Sequence, residues 1–304
     1  MNKVFFKFFS RIIFSRLKLW RYLPDRLYLQ VFYYNKMGTP LNLDNPITFN
    51  EKLQWLKLYD RRPEYSVMVD KYLAKEYVAN IIGSQYIIPT LGVWDNVDDI
   101  DWNALPEKFV LKCTHDSGDL VICKDKSKLD IEKAKNKLRN GLKNNFWKVG
   151  REWPYSNVKP RIIAEKFMIS KAPDAPNDLP DYKFFCFNGE PKYCQVIRDR
   201  NLNETIDFYN MEWIHQDFVG LNPKCQNGLD PVPCPPHLDE MIKVCRKLAH
   251  NIPFVRVDLY VVDNKEYFGE LTFYPASGIG HFTPDSWEQK LGALLTLPTE
   301  YGGV

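Results

Sequence analysis

The sequence predicts mixed α and β structure in two lobes, preceded by a helical N-terminal region. Three observations predict it. Apolar strand-like runs alternate with segments of helical period, a pattern of the α/β or α+β class. An Asn188-Gly189 pair sits between two such runs, a strong hairpin signal. The last two strands, residues 254–260 and 267–273, each carry one acid in an otherwise apolar run. A chain of 304 residues with 45% hydrophobic and 26% charged residues is long enough to bury one or two cores.

The elements follow in order. Residues 1–23 interleave Lys3, Lys7, Arg11, Lys18 and Arg21 with Phe5, Phe8, Phe9, Ile12 and Trp20. At about 100° per residue the cations share one face and the aromatic residues lie opposite. Such a helix fits an anionic membrane surface, and equally the body of the protein or a second copy of it. It is too interrupted by charge to span a bilayer and lacks the small-residue cleavage site of a signal peptide. Thr48 with Glu51 three residues on reads as a capping box, opening a helix with Leu53 and Leu56 on its apolar stripe. A further helix is expected over 64–80.

Next come the apolar run 85–89 closed by proline, a strand over 108–113, the turn Thr114-His115-Asp116-Ser117-Gly118-Asp119, and a second strand over 120–123. Residues 130–146 have helical period. A strand over 161–168 precedes a proline-rich loop and the hairpin 183–187 and 193–198. Residues 231–236 are again proline-rich, 237–251 reads as a helix, and the acid-bearing strands close the second lobe. The organisation expected is a helical region over 1–68, a first lobe over 69–160 and a second over 161–304.

Composition excludes some functions. A net charge of +3 from nearly balanced charges gives no general nucleic-acid footprint. The seven cysteines are odd in number and show neither C-x-x-C nor zinc-ligand spacing, so free thiols in a reducing cytoplasm are expected. Cys113, Cys123 and Cys186, in apolar runs, are expected to be small buried hydrophobes.

Alternation places Asp258 and Glu270 where adjacent strands converge, with Arg256 beside them. Two carboxylates and a guanidinium suit Mg²⁺ and the phosphates it carries, because hard cations take oxygen ligands and phosphates need extra positive charge. Lys112 ends an apolar strand before a turn of small residues, which lets backbone N–H groups approach an anion; alone, a strand-end lysine is more often solvated. Glu165 and Lys166 lie inside an apolar strand whose edge can read a purine; the plainer reading is an exposed ion pair. Asp181-Tyr182-Lys183 and Arg198-Asp199-Arg200 put charges at both ends of the hairpin, to face one anion or to form a surface cluster worth little.

In this order the features resemble the ATP-grasp superfamily. Pro46-Ile47-Thr48-Phe49-Asn50-Glu51-Lys52, Asp70-Lys71-Tyr72, Asp181-Tyr182-Lys183-Phe184-Phe185 and Phe268-Gly269-Glu270-Leu271-Thr272-Phe273-Tyr274 look like its teichuronopeptide-biosynthesis (TupA-like) branch, over roughly residues 45–284. The resemblance implies an α+β ATP-grasp fold, two lobes clamping ATP. It implies that Lys71, Lys112 and Lys183 touch phosphates, with Asp181 beside Lys183. Glu165 and the backbone of Lys166 and Met168 would hold adenine, and Ser117 and Gly118 would lie in a loop over the phosphates. Asp258, Glu270 and Thr272 would bind Mg²⁺, Thr272 standing where many superfamily members have asparagine. Arg256, Lys183 and Arg198 would serve phosphoryl transfer.

The activity so implied is ATP-dependent ligation of a carboxylate to an amine through an acyl phosphate. The partners would be an amino acid and a uronic-acid-containing saccharide, met in the cytoplasm or at the inner face of the membrane through residues 1–23, with a second copy of the chain as a further candidate partner in a homo-oligomer. A kinase acting on a sugar hydroxyl would use the same phosphate site. A glycosyltransferase would need Asp99-Ile100-Asp101 as a metal pair, in a stretch better read as a solvated turn, and a membrane adaptor would need no chemistry. Trp147, Trp153, Tyr155, Trp213 and Tyr274 are candidates to stack on sugars, or packing residues.

Overall fold

The computed structural model describes residues 22–116, 118, 120–169, 181–198, 204–222 and 224–299. The basic-aromatic reading of residues 1–23 therefore lies outside the described residues, save Tyr22 and Leu23. Helix α1 (Asp25–Met37) leads to α2 (Phe49–Tyr59), whose N-terminus is closed by the Thr48–Glu51 capping box. Leu53 and Leu56 are buried as expected, but so are Asn50, Gln54 and Lys57, a polar stripe on the same helix.

The helix expected over 64–80 is two helices, α3 (Glu64–Val69) and α4 (Leu73–Ile82). Asp70 separates them. Its backbone is extended, and its Oδ1 accepts from the N–H groups of Tyr72 and Leu73 at 2.8 and 3.2 Å, the geometry of a helix N-terminus. Arg161 pins the other carboxylate oxygen at 2.8 Å.

Strands β1 (Thr90–Trp94), β2 (Phe109–Cys113), β3 (Leu120–Cys123) and β4 (Ile162–Lys166) form a four-stranded antiparallel sheet in the order β1-β4-β2-β3. Helix α5 (Ile131–Leu142) closes one face of it, with Ala134 and Leu138 packed among Phe109, Leu111, Cys113, Ile162 and Ala164. A short helix α6 (Phe146–Gly150) follows α5. The division at 160/161 assigns β4 to the second lobe, but hydrogen bonding puts β4 between β1 and β2, so the chain leaves the first sheet after Lys166.

Strands β5 (Asp181–Phe187), β6 (Glu190–Arg198), β7 (Thr205–Asn210) and β8 (His215–Gln216) form the second sheet with β10 (Phe254–Val262) and β11 (Lys265–Thr272), in the order β11-β10-β5-β6-β7-β8. All its pairs are antiparallel, so the class is α+β. The β5–β6 hairpin turns at Asn188 and Gly189, with φ of 49° and 86°, the left-handed pair that this two-residue turn requires. Helix α7 (Leu238–Leu248) packs on β5, β6 and β10. A small pair, β9 (Val219–Gly220) with β12 (Phe282–Thr283), and α8 (Ser286–Leu294) complete the core. Cys113, Cys123 and Cys186 are buried, as their apolar runs predict. Among the described residues no helix is long and apolar enough to cross a membrane.

Candidate functional site

The second sheet sorts its residues by face. Asp181, Lys183, Phe185 and Phe187 of β5 stand opposite Tyr260, Asp258, Arg256 and Phe254 of β10. Directly opposed residues share a face, so one side of the sheet is aromatic at one end and ionic at the other. Phe49 of α2 covers the aromatic end, its ring centroid 4.9 Å from that of Phe254 and 5.8 Å from that of Phe187. At the ionic end Asp258 pairs with Glu270 of β11, and Arg256 with Thr272.

Arg256 is the hub. Its Nε and Nη2 donate to Asp258 Oδ1 and Oδ2 at 2.6 and 2.7 Å, and Nη2 also reaches Glu270 Oε1 at 3.1 Å and Thr272 Oγ1 at 3.0 Å. The Thr272 hydroxyl donates to Glu270 Oε1 at 3.3 Å, so it bridges arginine and glutamate. Lys183 joins Asp258 to Asp181, donating to the latter at 2.9 Å. Burial pushes Asp258 up against the pull of Arg256 and Lys183, while the neighbouring carboxylates outweigh burial at Arg256 and hold its proton more tightly. The fork of two N–H donors on two oxygens is the geometry of an ionised carboxylate, and we take Asp258 as charged.

The first sheet presents its uncovered face to this cluster. Val110 and Lys112 of β2 share that face with Ile163 and Glu165 of β4. Glu165 is clamped between two lysines: Lys112 meets Oε2 at 2.6 Å, and Lys75 of α4 meets Oε1 at 2.6 Å. Burial acts to raise Glu165, but Lys112 and Lys75 prevail and keep it below its ordinary range. Lys71, in the break before α4, is tied to the turn after β2: its N–H donates to the Thr114 carbonyl at 3.0 Å and its ammonium to the Asp116 carbonyl. Burial lowers both Lys71 and Lys75, with nearby carboxylates opposing.

The two sheets meet electrostatically at Glu270. Burial acts to raise its carboxyl, yet Lys183 and Arg256 from its own sheet, with Lys71 and Lys112 from across the cleft, bring it down to about 2. Tyr155 lies in the same field: burial, with Glu152 and Glu270, pushes its hydroxyl well above the ordinary value. A cleft with three lysines on one side and a carboxylate pair on the other is built for a polyanion carrying a divalent cation. Asp258 and Glu270 are hard oxygen donors, and Mg²⁺ commonly takes one or two carboxylates and completes its shell with phosphate oxygens and water. The donor set thus fits Mg²⁺ delivered with a nucleotide; among the described residues no protein-only cage of three or more His, Cys, Asp or Glu side chains exists.

Most of the residues singled out in sequence converge here: Lys71, Lys112, Glu165, Asp181, Lys183, Arg256, Asp258, Glu270 and Thr272. Lys166 and Met168 lie at and just past the end of β4. Ser117 lies outside the described residues, and Gly118 beside it has a φ of 110°. Arg198 is a correction. It alternates onto the opposite face of the sheet from Lys183, where it meets Asp207 at 3.0 Å and the Asp230 carbonyl at 2.9 Å, so it cannot join the Arg256 cluster. Asp99 and Asp101 serve local structure, Asp99 accepting from Asn96 Nδ2 at 3.4 Å and Asp101 from the N–H groups of Asn103 and Ala104. Trp213 stacks on Tyr209, and Trp147 lies against the Arg151 guanidinium, so both are engaged in packing.

Sequence reasoning missed Lys75, although it stands one helical turn after Lys71. It also missed the polar stripe of α2. There Gln54 Nε2 donates to the carbonyls of Ser277 and Gly278 at 3.1 and 2.6 Å, and Lys57 Nζ to those of Gly150 and Ser277 at 2.8 and 2.9 Å. These bonds hold a turn, directly after the strand of Glu270, in which Ala276, Ser277 and Gly278 all have positive φ. Left-handed backbone costs roughly 1–2 kcal/mol for each residue with a Cβ, so the buried donors offset real strain.

Comparison with known proteins is consistent with this geometry. The family model described as TupA-like ATPgrasp matches residues 51–296. Among solved structures, a D-alanine–D-alanine ligase from Bacillus anthracis complexed with ATP is 14% identical with a TM-score of 0.39, over 68% of this chain and 54% of its own. The corresponding enzyme of Helicobacter pylori is 14% identical with a TM-score of 0.40, over 81% and 69%. The ATP-grasp ligase PsnB, complexed with minimal precursor, Mg and ADP, is 10% identical with a TM-score of 0.38, over 74% and 57%. The chain thus spans about half the length of the first of these ligases. No curated protein matches the sequence.

Proposed function

Because the chain belongs to the TupA-like ATP-grasp family, we propose that it is an ATP-dependent carboxylate–amine ligase of surface-polysaccharide synthesis, joining a uronic acid carboxyl to the amine of an amino acid. The observation that carries this reading is the convergence on Glu270 of cations from both sides of the cleft, Lys183 and Arg256 of the second sheet and, across it, Lys71 before α4 and Lys112 of β2.

In this reading Asp258 and Glu270 hold Mg²⁺, which supplies neutralising charge between a nucleotide's phosphates and an incoming carboxylate. Lys71, Lys112 and Lys183 bind the phosphates. Arg256, fixed by its fork on Asp258, is preorganised to face charge developing on the transferred phosphoryl group without rearranging. Thr272 keeps Glu270 and Arg256 in register. The acceptor carboxylate oxygen attacks the γ-phosphorus as its bond to ADP breaks. The amine then attacks the acyl carbon, phosphate leaves and the amine loses a proton. Glu165, over the aliphatic side chains of Val110 and Ile163, supports a purine site at the far end of the cleft. The basic and aromatic sequence of residues 1–23 supports a peripheral contact with the cytoplasmic face of the membrane.

The test is ADP release over a panel of amino acids with uronic-acid-containing saccharides, the products examined for a new amide by mass spectrometry. ADP formation that needs both partners and yields an amide supports the proposal. ADP formed with saccharide alone, leaving a phosphorylated sugar, would replace it with a kinase.

A further inference from the structure

The end of β4 bears a feature that the phosphate chemistry does not use. In the β2–β4 ladder the Thr114 N–H bonds the Arg161 carbonyl at 2.9 Å. Bonded pairs alternate in an antiparallel ladder, so the next are Lys112 with Ile163 and Val110 with Glu165. Lys166 therefore turns its N–H and carbonyl the other way, toward the segment leading into β1. Its N–H reaches the Pro89 carbonyl at 3.0 Å. The return bond of such a pair would come from the N–H of residue 89, and proline has none. The ladder thus leaves the Lys166 carbonyl as an open acceptor beside the Glu165 carboxylate.

Lys75 fixes the second acceptor. Its ammonium donates to the Ile88 carbonyl at 2.7 Å and meets Glu165 Oε1 at 2.6 Å, linking the carboxylate to the same segment that ends in Pro89. Lys112 holds the other oxygen. Two acceptors side by side match an exocyclic amine, which offers two N–H donors. They repel a ring oxo group, which would leave both without a partner.

We propose that Lys75 and Pro89 make this strand end select a 6-aminopurine nucleotide over a 6-oxopurine one, Lys75 by orienting the Glu165 carboxylate and Pro89 by leaving the Lys166 carbonyl open. The proposal rests on the nucleotide reading above. Lys75 is a positioning residue, acting through Glu165, and Pro89 acts through the bond it cannot make.

The experiment is calorimetric titration of the full chain with Mg²⁺ complexes of AMP-PNP and GMP-PNP, for the parent and for Lys75→Met, Lys75→Arg and Pro89→Ala, with melting temperature as the control for folding. The parent should prefer AMP-PNP. Lys75→Met and Pro89→Ala should each lower that preference roughly tenfold, the worth of one hydrogen bond in a closed site, and Lys75→Arg should restore part of it. A merely structural lysine would weaken both nucleotides alike and leave their ratio unchanged. A parent that binds neither analogue overturns the nucleotide reading and this inference with it. A parent that prefers AMP-PNP, with variants that keep the same ratio, overturns the inference alone. Should Lys75→Met not fold, Pro89→Ala decides.

Discussion

Asp258 and Glu270 face each other across two strands, yet removing their charges should cost very different amounts of stability. The Asp258 side chain is 1% exposed and receives both Arg256 nitrogens and Lys183, whereas the Glu270 side chain is 44% exposed and accepts from Arg256 at one oxygen. Breaking a buried ion pair by removing one partner costs about 3–5 kcal/mol, because the remaining charges stay buried without compensation. At about 2–4 °C per kcal/mol, Asp258→Asn should melt roughly 6–20 °C below the parent. Glu270→Gln removes a partly solvated charge and should cost less than about 1 kcal/mol. Both should lower ADP formation roughly 10²–10³-fold, the scale on which loss of one preorganised charge-stabilising group is felt. Differential scanning calorimetry beside a coupled ADP assay measures both quantities. An Asp258→Asn protein as stable as the parent, or a Glu270→Gln protein that is badly destabilised but still turns over, would refute the division of labour.

Three further outcomes follow from the same geometry. The Glu270 carboxyl is brought down to about 2 in the folded chain, so its stabilisation, under about 1 kcal/mol after discount for its 44% exposure, is complete above the ordinary carboxylate value and fades as pH falls toward 2; Glu270→Gln should flatten the acid limb of a stability–pH curve by that small amount. Glu288 behaves inversely: burial lifts it to about 7 beside Asn50, so its contribution is complete below the ordinary carboxylate value and is lost as pH rises through 7. Glu288→Gln should match the parent near pH 5 and exceed it at pH 8 by roughly 2 kcal/mol after discount for solvent, read by urea denaturation at the two values. Gln54→Ala strips buried donors from the Ser277 and Gly278 carbonyls and should cost about 1–3 kcal/mol; an unchanged melting temperature would mean that the turn does not depend on α2.

Local signals carried much of this fold into the sequence. The Thr48–Glu51 capping box, the Asn188-Gly189 turn and the alternation that sets Asp258 against Glu270 are short-range patterns, and each appears where its pattern puts it. What was not legible depends on distant partners. The break at Asp70 has a local mark, an aspartate that accepts from the N–H groups of Tyr72 and Leu73, but the Arg161 that holds its other oxygen lies far along the chain. Strand β4 belongs to the first sheet because β1 and β2 bracket it, a long-range pairing that strand composition does not encode. Arg198 was misplaced because a charge at the end of a hairpin has no visible face until register is known. The buried polar stripe of α2 reads as solvent-facing until the turn at residues 275–280 lies against it, and Lys75 reads as an ordinary helix lysine until Glu165 meets it.

Ligation through an acyl phosphate makes a demand that no other use of this cleft makes, and isotopic labelling tests it most directly. With the acceptor carboxylate labelled with oxygen-18, turnover with ATP and the amine should deliver one labelled oxygen into the released phosphate, leaving the other in the amide. Label retained entirely in the saccharide, or phosphate that stays on the sugar, would contradict the account.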